Sequence, residues 1–337
     1  MTPQHVGDRF RWHGRALFLL ARPVILRAIR EFLDGNGFLE VASPIVVKGA
    51  CPDVHLDSMT LSSGEVLITS SEYQLKRLIV GGFERVYSMA QNFRQGDLGD
   101  RHNPEFTMLE WARAWDSLDS IEHDAERLVS NALLALHGPE ATCCSWNGHC
   151  VRLRGEPWER LTVREALKRY LGIEVPADLH GLAQVARAAQ EAGIAIPGGL
   201  AHEEPTVWSW VLDQVTPHLG LRVPTFLREW PAFMTSSTAP GGGVAVRSEL
   251  IVAGLELADG FPFLRDAALQ RQLFDRENDA RRCQGKPEAP VDEAYLRALE
   301  EGIAPGAGMA LGIDRLVMLL TGAKTLRDVL PFGWDER

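Results

Sequence analysis

Two short segments hold the residues whose types and spacing could do chemistry. The first runs from Phe93 and Arg94 through a polar loop with Asp97, His102 and Asn103 to Phe106 and Glu110. It offers a guanidinium able to grip phosphate with fork geometry, a ring able to stack on a base, and a carboxylate facing a substrate. His102 and Asn103 sit in the loop, where they could contact phosphate or ribose. The second segment, Gly306 to Arg315, carries a glycine-rich strand into a helix that opens with another arginine. Neither holds the glycine-lysine signature of a P-loop. Together they predict a nucleotide site of another kind.

A further pair of acidic residues, Glu249 and Glu256, suits a hard cation. On one continuous strand their spacing would put them on opposite faces. A hairpin turning at Ala253-Gly254 changes the parity: Glu249 then lies opposite Ala258, and Glu256, two residues from Ala258, shares its face. Converging carboxylates of this sort suit magnesium beside phosphates.

The elements that must position these groups are legible. An amphipathic helical pattern passes through Ile25, Ile29 and Phe32 and stops at Gly35-Asn36-Gly37, followed by a strand from Phe38 to Val41. Val66 to Thr69 reads as a strand, Glu72 to Val80 as a helix, and Val86 to Gln91 as a strand entering the hairpin of Arg94. From about 117 to 224 the chain becomes rich in Ala, Leu and Glu, with breaks at Gly138, Gly155-Glu156-Pro157 and Pro197-Gly198-Gly199. That stretch reads as a mostly helical insertion. Pro240 to Gly243 is expected as a flexible loop beside the site, and Leu269 to Arg282 as a polar helix.

Bulk properties narrow the class. With 337 residues the chain can bury a large core. Its 45 acidic against 35 basic residues give a net charge of -10, which offers no broad basic face for a polyanion and weighs against tRNA as main partner. The apolar run Ala16 to Ala21 ends at Arg22-Pro23, too early for a secretory segment, so a cytoplasmic place and no membrane are expected. Five cysteines do not suggest a disulfide framework. Cys143, Cys144, Cys150, His137 and His149 lie close together but lack the paired spacing of structural zinc. They read as reduced thiols and surface imidazoles, with no metal predicted there.

The run His102 to Glu110, the segment Gly306 to Arg315, and Gly37-Phe38-Leu39-Glu40-Val41 with Pro44 resemble motifs 2, 3 and 1 of class II aminoacyl-tRNA synthetases, most closely the lysyl branch. The likeness extends from about Leu17 to Phe332. In length and order the chain is similar to the truncated lysyl-synthetase-like ligases that modify a lysine of elongation factor P. The resemblance implies an α+β fold, an antiparallel sheet flanked by helices, as one catalytic domain spanning residues 1–337. Because the motif 1 helix begins almost at the N-terminus, no anticodon-binding domain is expected. The motif 1 helix and strand imply a homodimer.

The same resemblance implies roles. Arg94 would contact the amino-acid carboxylate and the α-phosphate of ATP; Arg315 would hold the γ-phosphate with one guanidinium face on the adenine, and Phe106 would stack on its other face. A cation is needed there because a carboxylate attacking phosphorus brings two anions together. Glu249 and Glu256 match the metal-binding glutamates, implying Mg2+, and Glu72 matches the residue near the substrate amino group.

Several positions depart from the lysine-activating pattern. Gly96, with Asp97 beside it, stands where a glutamate usually touches the adenine amino group. Ala112 replaces a tyrosine, Asp259 an asparagine and Phe263 a glutamate. Glu110 and Asp259 remain as anions for a cationic substrate, while Phe263 makes the wall more apolar. Ala310 matches the elongation-factor-P ligases, where tRNA-charging lysyl enzymes carry glycine. The expected function is ATP-dependent adenylation of lysine or a lysine-like amino acid and transfer to a lysine of elongation factor P. Two alternatives stand beside it: a small-molecule or carrier-protein acceptor, and a catalytically silent regulatory relative.

Overall fold

Most of the strands expected from the sequence join one large sheet in the computed structural model of the protein, which describes residues 8–337 except 178, 180, 198–203, 236–239 and 242. The strand order is Leu39–Glu40, Arg85–Phe93, Glu105–Ala114, Gly306–Gly312, Leu255–Pro262, Val244–Val252, Thr225–Pro231 and Glu159–Thr162. The first and last strands add in parallel, and every pairing between them is antiparallel. A ninth, short strand, Pro240–Gly241, pairs with Val244–Val252. This is the α+β, antiparallel architecture the sequence predicts.

Glu105–Ala114 is a central strand, and seven consecutive residues from Thr107 to Arg113 are buried. Such a strand must be apolar on both faces or supply partners for its polar groups. Glu110 and Arg113, the charged exceptions, both have them. Arg113 donates to both carboxylate oxygens of Asp124, at 2.7 and 2.8 Å, and this pins the helix Leu118–His137 to the sheet.

The helix Asp8–Gly35 starts close to the N-terminus, as expected, and contains Pro23. Ile25, Ile29 and Leu33 recur at helical spacing and are fully buried against Ile121 and Leu128 of Leu118–His137 and Leu316 of Ile313–Thr321. The helix ends where Asn36 donates from its backbone and side-chain amides to the Phe32 carbonyl and Gly37 turns at φ +77°. A second cluster joins Glu72–Val80, Ala267–Cys283 and Glu293–Glu301 through Tyr73, Leu75, Phe263, Phe274 and Tyr295, with the rings of Tyr73 and Tyr295 stacked at 4.4 Å.

Within residues 117–224 the helix Leu118–His137 and the hairpin Cys143–Arg152 belong to the main core. The helices Val163–Leu171, Leu182–Glu191 and Glu204–Val215 pack around Trp208 in a separate core on the far strands of the sheet. Three local expectations need correction or restriction. Strand pairing at 66–69 covers only Val66–Leu67. Pro240 and Gly241 are sheet residues, not free loop. The remaining part of that stretch at Gly242, and the break at Gly198-Gly199, lie outside the described residues. Among the described residues no helix is long and apolar enough to cross a membrane.

Candidate active site

A row of residues crosses the sheet: Ser88 pairs with Glu110, Glu110 with Ala310, Ala310 with Asp259, and Asp259 with Glu249. Directly paired residues share a face, so five strands set these groups side by side. The pairing corrects the expected hairpin register. Glu249 lies opposite Asp259, not Ala258, because a bulge between Leu250 and Ile251 shifts the alignment by one residue. Every site residue expected from the sequence except Glu249 lines one cavity of about 380 Å³.

At one end of this cavity the cations gather. The Arg94 guanidinium lies 5.1 Å over the Phe106 ring, while its backbone N–H donates to the Pro104 carbonyl at 2.9 Å. Its Nε is buried with no hydrogen-bond partner among the described residues. A buried guanidinium N–H without an acceptor is costly, and an anion entering the cavity would relieve it. Arg315 sits in the first turn of Ile313–Thr321 and donates to the Glu256 carbonyl at 2.7 Å, the Arg101 carbonyl at 3.3 Å and His102 Nε2 at 2.8 Å. Burial and then the Arg315 charge lower the His102 pKa, which keeps its ring a neutral acceptor. Asn103 donates to the Glu105 carbonyl at 2.5 Å and so braces the loop. Gly96 has φ +86°, a conformation that residues with side chains rarely adopt. The missing glutamate is therefore matched by a backbone that would resist it.

The other end carries carboxylates, and each has a partner inside the protein. Glu110 Oε1 accepts from Ser70 Oγ and Oε2 from the Ser71 amide, both at 2.5 Å. Burial pushes its pKa up to about 7 against those hydrogen bonds. Glu72 accepts from Lys76 at 2.5 Å, and Lys76 is 2 % exposed. Arg247 bridges Glu249 at 2.7 Å and Asp259 at 2.9 Å, with its guanidinium 4.6 Å from the Trp230 ring. Burial raises the pKa of both carboxylates while the Arg247 charge works in the opposite direction. Phe263 closes the wall: its ring rests on the strand at Gly306, where an added Cβ would meet Phe263 at 2.5 Å. Ala112 and Gly308, paired across the next strands, leave the floor open.

Sequence reasoning passed over Lys76, Arg247 and Asp314. Lys76 is one helical turn from Glu72, and Arg247 is two strand residues from Glu249, so spacing could have found both. Asp314 was visible beside Arg315, yet its partners were not. It accepts from Arg22 at 2.5 Å and from the Thr107 amide at 2.9 Å. One carboxylate thus ties the first helix, the central strand and the helix of Arg315.

The family described as tRNA synthetases class II (D, K and N) matches residues 10–336. The chain belongs to that family. Among its relatives, the elongation factor P–(R)-beta-lysine ligase of Salmonella dublin is 34% identical over 332 residues, covering 94% of this chain and 95% of the relative. Proteins of the same name from Salmonella paratyphi B and Salmonella heidelberg are each 33% identical over the same lengths.

Proposed function

We propose that the chain activates a lysine-type amino acid with ATP and passes the aminoacyl group to a lysine amine of elongation factor P; the relatives' name couples elongation factor P with (R)-beta-lysine, which supports this donor and acceptor. The single observation that carries the ATP-dependent step is the buried Nε of Arg94, without a partner among the described residues, beside the Phe106 ring, with Arg315 across the same cavity. Arg94 holds the amino-acid carboxylate against the α-phosphate; as that carboxylate oxygen bonds to phosphorus, pyrophosphate leaves and an aminoacyl-adenylate forms. Arg315 stabilises the charge gathering on the leaving phosphates. The acceptor amine then attacks the acyl carbon and AMP departs.

The donor set at Glu249 and Glu256 is hard oxygen and fits Mg2+, with Glu256 half-exposed at the cavity and Glu249 shared with Arg247. When bound there, the ion would neutralise phosphate charge. Glu72 and Glu110 face the substrate amine, and Ala112, Asp259, Phe263 and Ala310 shape its side-chain pocket. A homodimer is supported by apolar side chains left open on the first helix and edge strand: Leu17 is 81 % exposed, Leu20 69 % and Leu39 47 %. The acidic balance argues for a protein acceptor rather than tRNA, and a cytoplasmic place goes with that reading. The chain acts as a single catalytic domain; within 117–224 the helices Val163–Leu171, Leu182–Glu191 and Glu204–Val215 form the inserted part, while Leu118–His137 and Cys143–Arg152 belong to the catalytic core.

The test is exchange of labelled pyrophosphate into ATP across a panel of α- and β-amino acids, followed by mass measurement of elongation factor P. Exchange with a lysine-type donor and a matching mass increase support the proposal. No exchange with any member of the panel rejects it.

A further inference from the structure

The hairpin Cys143–Trp146 and His149–Arg152 turns at Asn147 and Gly148, both with positive φ, as a two-residue turn demands. Cys143 pairs with Arg152 and Ser145 with Cys150, so these four share the face turned to solvent. Cys143 and Cys150 are diagonal neighbours on it, and the Sγ atoms lie 3.1 Å apart. A disulfide bond is about 2.05 Å long, so the thiols need approach by only about 1 Å. The other cysteines are placed differently. Cys144 points to the buried face, Cys51 lines the substrate cavity, and Cys283 ends a distant helix.

The buried face of this hairpin reaches the nucleotide end of the cavity. Trp146 Nε1 donates to the Ala323 carbonyl at 2.8 Å, just past the helix of Arg315, and the Arg101 guanidinium lies 5.4 Å over the Trp146 ring. The Arg101 carbonyl in turn accepts from Arg315 Nε. Trp146 therefore supports both the loop and the helix that carry the phosphate-binding residues.

We propose that Cys143 and Cys150 are an oxidative modification site: a peroxide converts them to a reversible disulfide that fixes Trp146 beneath the Arg101 loop and tightens ATP binding. One thiolate attacks the peroxide oxygen, giving a sulfenic acid and water. The second thiol then attacks that sulfur and displaces a second water, so two thiols and one hydrogen peroxide yield one disulfide and two waters. A dithiol reductant reverses the step by exchange.

Treating the full chain with hydrogen peroxide tests this without any amino-acid donor or acceptor, so failure of the proposed ligase activity would leave the result readable. The expected outcome is loss of two of the five alkylatable thiols, restored by dithiothreitol. Fragmentation of the tryptic peptide ending at Arg152 should place the two missing hydrogens on Cys143 and Cys150, with Cys144 still free. Cys150→Ser should abolish the link and Cys283→Ser should not. Calorimetric titration with ATP should give a roughly fivefold smaller dissociation constant for the oxidised protein, at the low end of ordinary coupling between two sites. Five reactive thiols after peroxide, oxygen adducts in place of the link, a Cys144 link, or unchanged ATP affinity in the linked protein would each overturn the proposal.

Discussion

The Lys76 ammonium lies 2.5 Å from Glu72 Oε1 inside the cavity, within 6 Å of the Phe261, Phe263 and Tyr295 rings. Burial works against the charged lysine, and the Glu72 carboxylate and Tyr295 more than compensate, leaving its pKa raised. Removing the buried lysine leaves Glu72, whose side chain is 21 % exposed, without its partner, at a cost of about 1–3 kcal/mol. Lys76→Met should therefore lower unfolding free energy by about that amount in urea, and Glu72→Leu added to it should recover most of the loss. Additive single and double variants would show that the two charges do not depend on each other.

Phe263 sets the polarity of the pocket wall. Its ring stands where the resemblance to the lysyl branch implies a carboxylate, and the strand beneath accommodates it through Gly306. Phe263→Glu restores an anion next to that space. A charged hydrogen bond is worth about 1.5–3 kcal/mol, so the variant's KM for L-lysine in pyrophosphate exchange should fall roughly tenfold, with the KM for ATP unchanged. A lysine KM equal to that of the parent would remove Phe263 from the specificity argument.

Arg315 is held on three sides by backbone carbonyls and His102, yet none of those contacts is part of the hydrophobic core. Arg315→Ala should leave the circular dichroism spectrum and melting temperature nearly intact. Pyrophosphate exchange should drop by about 100-fold or more, since the variant lacks the charge proposed to meet the leaving phosphates. Unaltered exchange would contradict the γ-phosphate role.

The helix Glu72–Val80 falls where its apolar periodicity places it, and the hairpin of Arg94 and Phe106 is legible because its apolar strands flank a polar loop. What stayed hidden depends on side chains meeting across long sequence distances. Asp314 and Thr107 are brought together only by the sheet order, and nothing in either segment alone signals the contact. The one-residue slip that sets Glu249 against Asp259 comes from a bulge between two apolar residues, Leu250 and Ile251, which carry no glycine or proline to announce it. The partners of the carboxylates were missed for a different reason. Charge spacing on a helix or strand usually describes a solvated face, and only burial turns Glu72–Lys76 and Glu249–Arg247–Asp259 into closed sets.

Glu110 makes the stability and binding of the protein depend on pH near neutrality. In the folded chain its pKa is pushed up to about 7, first by burial and further by the nearby Glu72 charge, with Ser70 and Ser71 pulling the other way. A carboxyl whose folded pKa exceeds its unfolded value holds its proton more tightly when folded. Between the usual carboxylate value and about 7 the native state therefore binds more protons than the unfolded state, and stability falls as pH rises through that window. The shift corresponds to about 3 kcal/mol, present in full below about pH 4.5 and lost above pH 7. Urea denaturation at a series of pH values should show this slope, and Glu110→Gln should flatten it, since an amide does not titrate. A cationic substrate drawn against Glu110 would stabilise the carboxylate, so binding at pH 6 should release close to one proton. Calorimetry in buffers of different ionisation enthalpy reads that release directly, and a binding heat independent of buffer would mean that the substrate ammonium does not meet Glu110.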